Sequence, residues 1–292
     1  MKIIDDFKEL CVIIVLALSR KLLYKLQYFH QRGRFPNLKN PKDISEHILS
    51  EMMKPNFVSK YSDYADKIKV RQYLKDKGLE QILLKHFGVW TDANEIDFDK
   101  LPDKFVLKTN NGCGEYVFCR NKSTLDIKKS VKLINKTLHL PYYFNKEPHY
   151  IAIKPLIFCE ELVDAENEDL PIDYKFTCIN GRPFNIIVVV ERNKKAKFCS
   201  FDMDWNISDN VKREQFPKKI PEKPRNLRQM TEIAKILSEG FNFVRVDLYD
   251  TGKKIWFGEL TFTPEGGMMK AYTDEAIKLM GNFFSNNEMN NG

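Results

Sequence analysis

Two patterns of apolar and polar positions divide the chain. Before about residue 104 the apolar residues recur at three- and four-residue intervals, and from Lys104 onward they gather in short β-branched and aromatic runs. In "RKLLYKLQYFHQRGR", Leu22, Leu23, Leu26 and Phe29 recur at helical spacing while Arg20, Lys21, Lys25 and Arg32 supply positive charge. Such a helix either lies on an anionic leaflet or packs on its own domain. "FPNLKNPKDISEHILSEMM" breaks that helix with Pro and Asn and starts another at Ser45 and Glu46. "YADKIKVRQYLKDKGL" predicts a single amphipathic helix, with Ile68, Val70, Tyr73 and Leu74 inside and Gly78 as its stop. A strand is expected around "LLKHFGVW", followed by the acidic loop "TDANEIDFDKLPD".

The later runs "KFVLK", "EYVFC", "YIAIKPLIFCEELV", "DYKFTCI", "FNIIVVVE", "AKFCSFD", "FNFVRVDLYD" and "KIWFGELTF" predict strands. "INGRP" predicts a tight hairpin, since Asn180-Gly181 tolerates positive φ. Helices are expected at about 124–138, 225–239 and 273–284. Strand runs with few helices between them imply an α+β fold with largely antiparallel sheets. No internal repeat is present, and the polar tail "SNNEMNNG" should fray.

A length of 292 residues suits a compact protein of two or three subdomains sharing clefts, and 43% hydrophobic residues are ample for its core. The net charge of +7 is spread among almost as many acids, which favours small anionic partners over nucleic acid. The six cysteines form no C-x-x-C pair and no zinc spacing with the five histidines, so they read as buried free thiols of a cytosolic protein. "CVIIVLALS" is shorter than the roughly 20 apolar residues of a membrane span. Asp5, Asp6 and Glu9 precede it, and no secretory signal is assigned.

Four regions could carry chemistry. Lys108 ends a strand before the loop "TNNGCG", where an ammonium and free backbone amides would suit a triphosphate, although an ordinary hairpin explains the same letters. "FVRVDLYD" and "WFGELTFTPEGG" place Arg245 and Asp247 on one strand face, with Glu259 on the next strand. That set suits magnesium and phosphate, or else a structural ion pair at a sheet edge. Glu160 and Glu161 leave a strand where backbone groups could meet an adenine edge, or where an acidic loop is simply solvated. "DMDW" supplies a D-x-D that could hold a metal for a sugar nucleotide, or be a loop. Trp205, Tyr142 and Tyr143 could stack on a sugar, with ordinary packing as the default.

Taken in order, Lys67 in "ADKIKVRQYLKDKG", Lys108 in "FVLKTNNGCGEY", "EELV", Lys175 in "DYKF", "RVDLYD" and "GELTF" resemble the ATP-grasp superfamily. "NLKNPKDISEHI", "DKLPDKFVLKTNNGCG", "DYKFTCINGRP", "DMDWN" and "VRVDLYDTGKKIWFGELTFTPEGG" are similar to the TupA-like ATP-grasp family of teichuronopeptide and capsular polysaccharide biosynthesis, over roughly residues 35 to 285.

The resemblance implies an ATP-grasp fold in which two antiparallel-rich α+β subdomains hold the nucleotide. Its divisions would be a helical amino-terminal region (1–60), an amino-terminal subdomain (61–103), a central lid (104–163) and a carboxy-terminal core with the metal site (164–292). It implies ATP and Mg2+, with Lys67, Lys108 and Lys175 on phosphates, and Asn111, Gly112, Cys113 and Gly114 in the lid. Glu160, Glu161, Leu162 and Val163 would form the adenine hinge. Asp247 and Glu259 would be metal ligands, and Arg245 with Lys175 would be catalytic. Thr261 stands where the family has its last metal-ligand asparagine. Cys113 and Glu115 are further departures, as is "DISEHI", which lacks the family's usual aromatic residue.

The activity so implied is a carboxylate–amine ligase that uses an acyl phosphate to join an amino acid or amine to a uronic acid. Its acceptor would be a small-molecule or lipid-linked glycan, in the cytoplasm or peripherally on the inner membrane face. A glycosyltransferase, an ATP-grasp kinase and an inactive membrane-associated scaffold are the alternatives.

Overall fold

The helical first third and the strand-rich remainder fold around two antiparallel sheets that face each other across a cleft. The computed structural model describes residues 19–112, 115–140, 147–163, 170–191 and 196–288. The apolar run from Cys11, the lid residues Cys113 and Gly114, and Tyr142 and Tyr143 lie outside the described residues.

Helix α1 (Arg20–Arg32) starts at Ser19, whose side chain accepts from the Leu22 amide, and ends at Gly33 in the left-handed region (φ 71°). Its inward face is Leu23, Tyr24 and Tyr28, whereas Leu22, Leu26 and Phe29 of the expected stripe face outward. Helix α2 (Ile44–Met52) begins before the expected Ser45. Asp43 is its cap, accepting from the Glu46 amide at 2.9 Å. Asp43 and Glu46 are both fully buried, and Arg34 bridges them at 2.6 and 2.5 Å.

The single helix expected over residues 64–79 is two: α3 (Phe57–Ala65) and α4 (Val70–Asp76), the second stopped by Gly78 at φ 70°. Asp66 makes the break. Its Oδ1 accepts from the amides of Ile68 and Lys69, and its Oδ2 accepts from the side-chain amide of buried Asn110. Local side-chain bonds of this kind compete with the helical ladder, and the tertiary partner decides the contest.

The smaller sheet has the order β1-β4-β2-β3, from β1 (His86–Trp90), β2 (Phe105–Thr109), β3 (Val117–Cys119) and β4 (Ile157–Glu161). The strand expected over 150–163 is shorter than its apolar run. Residues Pro148–Ala152 form a 3-10 turn because His149 and Tyr150 dock beneath α3, where Ser62 donates to the His149 carbonyl at 2.7 Å. Phe105, Leu107, Cys119, Ile157 and Cys159 pack on helix α5 (Ile127–Leu138) as one core.

The larger sheet has the order β10-β9-β5-β6-β7-β8, from β5 (Asp173–Ile179), β6 (Arg182–Val190), β7 (Lys197–Phe201), β8 (Ile207–Ser208), β9 (Phe243–Asp250) and β10 (Ile255–Thr261). β5 and β6 join through Asn180 and Gly181, both at positive φ (51° and 72°), which suits a type I′ turn. Its apolar face packs on α6 (Leu227–Ser238), and the helices α1 to α4 and α7 (Asp274–Glu288) complete a second core. The four described cysteines, Cys119, Cys159, Cys178 and Cys199, are buried free thiols. Among the described residues no helix is long and apolar enough to cross a membrane.

Helix α7 meets α2 backbone to backbone at Gly281, where an added Cβ would lie 2.5 Å from the Cα of Asp43. Gly281→Ala should therefore lower the unfolding free energy by about 1–3 kcal/mol, despite the better helix propensity of alanine. Urea titration followed by circular dichroism checks this, and an unchanged or raised midpoint would contradict it.

Candidate active site

Register across the large sheet assembles the charged cluster. Lys175 on β5 lies opposite Asp247 on β9, which lies opposite Glu259 on β10. The next rung holds Thr177, Arg245 and Thr261. Directly opposed residues share a face, so this polar patch lies on one side while Val246, Leu248 and Leu260 pack on the other.

A bulge at Gly258 makes that possible. Phe257 pairs with Leu248 and Glu259 already pairs with Asp247, so the extra residue between them shifts the alternation by one. Without it Glu259 would turn toward the apolar face. Glycine fits because an added Cβ at 258 would stand 3.0 Å from the Asp247 carbonyl oxygen.

The side chains form one connected network. Arg245 donates to both oxygens of Asp247 at 2.7 Å, to Glu259 at 3.2 Å and to Thr261 Oγ1 at 3.1 Å. Thr261 in turn donates to Glu259 at 3.0 Å. Lys175 pairs with Asp247 and, at 2.7 Å, with Asp173. Lys67 reaches Glu259 at 3.5 Å and the Gly112 carbonyl at 2.7 Å, so it links the large sheet to the root of the lid.

Lys67 owes its position to the break between α3 and α4. Its own amide donates to the Asn110 carbonyl, and Asn110 is fully buried between Asp66, Lys154 and Leu156. The helix lysine expected from the sequence is thus a turn lysine tied to the strand that carries Lys108. Burial alone would raise the Glu259 carboxyl, but Lys67, Arg245 and Lys175 outweigh it and bring it down to about 2.

On the facing sheet, Lys108 pairs with Glu160 and lies over the Tyr116 ring at 5.5 Å. Val106, Lys108, Phe158 and Glu160 share the cleft face of β2 and β4. An apolar slot opens beside them, lined by Leu84, Val106, Phe118, Leu162, Pro171 and Tyr249, with Glu161 and Val163 at its wall. A narrower recess next to the slot contains Lys67, Arg71, Lys108 and Gly258. The structure therefore brings Lys67, Lys108, Lys175, Glu160, Glu161, Leu162, Val163, Arg245, Asp247, Glu259 and Thr261 to one cleft. Asn111 and Gly112 stand at its lid root, and Cys113 and Gly114 are outside the described residues.

Sequence reasoning passed over several neighbours. Asp173 stands two residues before Lys175 on the same strand face, a spacing that could have revealed it. Arg71, four residues after Lys67, donates to the Leu84 carbonyl at 2.9 Å. Glu147 is buried and accepts from Thr263 at 2.5 Å, and burial pushes its carboxyl up to about 7 despite nearby Arg245 and Lys67. No sequence pattern pointed to Glu147.

The D-x-D forms a turn: Asp202 accepts from the amides of Asp204 and Asn206 and from the Asn206 side chain, and Trp205 stacks on Phe201 at 4.1 Å. Among the described residues no group of three or more His, Cys, Asp or Glu gathers as a metal cluster. Two hard carboxylates beside a cationic recess match the demand of magnesium, which takes one or two protein carboxylates and completes its shell with phosphate and water.

A family model described as TupA-like ATP-grasp matches residues 46–285. Solved structures of similar fold include a D-alanine–D-alanine ligase from Bacillus anthracis, at 14% identity and TM-score 0.45, covering 85% of this chain and 71% of that one. They also include the D-cycloserine synthetase DcsG, at 12% identity and TM-score 0.42, with 82% and 76% covered. A third is the ATP-grasp ligase PsnB with a minimal precursor, at 12% identity and TM-score 0.41, with 77% and 62% covered. No curated protein matches the chain.

His149, beneath α3, has its ring pushed down to about 3 by burial and then by Lys67. A neutral buried imidazole favours the folded state above the ordinary value near 6.5, and that contribution is lost as pH falls below it. His149→Phe should therefore flatten the loss of stability between pH 6.5 and 4, by roughly 1.4 kcal/mol per pH unit at most. Urea midpoints at pH 7 and pH 5 measure the difference, and parallel curves for the two proteins would refute it.

Proposed function

This chain belongs to the TupA-like ATP-grasp family; from that premise we propose that it is an ATP-grasp carbon–nitrogen ligase, joining a uronic acid to an amino acid or amine during cell-surface polysaccharide synthesis. The observation that carries the proposed site is the charge network. Lys67, Lys175 and Arg245 rest on Asp247 and Glu259 in a cleft whose other wall offers Lys108 and an apolar slot. Each cation can move from a carboxylate to a phosphate oxygen while the carboxylate turns to a divalent ion, so little net charge need be desolvated on binding.

In this reading the slot beside Glu160–Val163 takes the adenine, and Lys67, Lys108 and Lys175 take phosphates under the Asn111–Gly114 lid. Asp247 and Glu259 would hold magnesium, which neutralises charge on the phosphates, with Thr261 at the third position. Arg245 steadies the transferring phosphoryl group.

A carboxylate oxygen of the uronic acid attacks the γ-phosphorus and the bond to the β-phosphate oxygen breaks, releasing ADP. The amine nitrogen then attacks the acyl carbon, the bond from that carbon to phosphate breaks, and phosphate and a proton leave. The protein's contribution is positioning, together with charge neutralisation in a water-poor cleft. The family likeness carries the polysaccharide setting and the cytoplasmic placement of this proposal. The turn geometry of Asp202 to Asn206 does not favour the glycosyltransferase alternative.

Incubation with ATP, magnesium and a panel of uronic acids and amino acids should yield ADP and free phosphate only when both a carboxylate and an amine are present. Lys108→Ala and Glu259→Gln should each lower the rate by roughly 10²- to 10³-fold. ADP formed without free phosphate would replace the ligase with a kinase. Ligation with non-sugar carboxylates alone would remove the glycan setting.

A further inference from the structure

The stripe that marks α1 as amphipathic is not the face that packs. Leu22, Leu26 and Phe29, spaced to share one side of the helix, are exposed to 45%, 42% and 45%, and Phe35 beyond the helix end is exposed to 59%. Phe29 and Phe35 stack at 4.7 Å, so the helix and the chain after it present a continuous apolar strip. The protein's own core uses different residues, Leu23, Tyr24 and Tyr28. Four large apolar side chains gathered in one place differ from the scattered single ones usual on a protein surface.

The charge around this strip has one sign. From Arg20 to Phe35 there are five lysine and arginine residues and no acidic one. Arg32 and Arg34 are engaged internally, whereas Arg20, Lys21 and Lys25 make no ion pair among the described residues. Lys21 and Lys25 each immediately precede an exposed leucine, so they border the strip. An apolar strip edged by lysine and arginine matches the interface of an anionic bilayer, where the apolar side chains enter the acyl boundary and the ammonium groups meet phosphates.

The helix is also firmly mounted. Arg32, with its side chain only 5% exposed, donates to the carbonyls of Met268 and Met269 at 2.9 and 3.1 Å and pairs with Asp274 at 2.6 Å. Those residues follow directly from the β10 exit that carries Glu259, Thr261 and Thr263. A surface bound through α1 would therefore hold the candidate active site in a set orientation to the membrane.

We propose that the Leu22–Leu26–Phe29–Phe35 face of α1 is a docking surface for anionic phospholipid membrane, with Arg20, Lys21 and Lys25 supplying the charge preference. The docking is separate from the chemistry of the cleft.

Co-sedimentation of the full chain with vesicles tests it. The protein should bind phosphatidylglycerol vesicles, bind phosphatidylcholine vesicles weakly, and be released by salt. Leu26→Glu/Phe29→Glu and Lys21→Glu/Lys25→Glu should each weaken binding by roughly tenfold or more, with unchanged melting temperature. Lys108→Ala should bind as the unaltered protein does, even if no ligase activity is ever found.

Binding that survives Leu26→Glu/Phe29→Glu would overturn the proposal, as would absence of binding to any vesicle. A dimer in light scattering that this variant abolishes would assign the face to a second copy. A lower melting temperature for the variant without vesicle binding would assign it to residues 1–18 of the same chain, and either result overturns the proposal.

Discussion

The site is organised around one buried carboxylate. Asp247 lies inside a sheet, 2% exposed, where burial pushes its carboxyl up and the paired Arg245 and Lys175 oppose that shift. Those two cations draw in Glu259, Thr261 and Asp173, and Glu259 draws in Lys67. Removing one member strands a partner in a low-dielectric place, which costs far more than the pair itself contributes. The network is therefore stable as a set and exchangeable as a set, the condition that the proposed entry of a nucleotide and a divalent ion requires.

Two backbone devices aim this network. The bulge at Gly258 turns Glu259 into the cleft, and the Asp66–Asn110 contact ends α3 early so that Lys67 reaches both Glu259 and the lid root. The bulge acts through main-chain pairing, and Asp66 acts by accepting from the main-chain amides of Ile68 and Lys69 while the Asn110 side chain holds its other oxygen. The small sheet adds Lys108 and Glu160 from strands whose other faces form a separate core with α5. Each half of the cleft is thus held by its own apolar packing, and the charged groups lie where the halves meet.

Much of this was legible in the letters. The strand runs "DYKFTCI" and "FVRVDLYD" coincide with β5 and β9, because their alternation matches a sheet with one polar and one apolar face. The same alternation placed Arg245 and Asp247 side by side. Other elements differ from their sequence pattern where an apolar run serves something besides its own periodicity. In "YIAI" Tyr150 is buried in the turn that docks under α3 while Ile151 is exposed, so the run is apolar without being a strand, and the 22–26–29 stripe is apolar without being core.

What the sequence determined by itself was local and periodic: the α+β class, the hairpin at Asn180-Gly181, the stop at Gly78, and the family likeness carried by an ordered series of short motifs. Only the tertiary structure decided which residues from distant segments share a space. It broke the helix at Asp66, flipped the register at Gly258, and brought Glu147 to Thr263. The reason is physical. Local patterns reflect the fixed repeats of helix and strand, whereas a buried charge is positioned by whichever partner can satisfy it, and that partner is set by the packing of the whole chain.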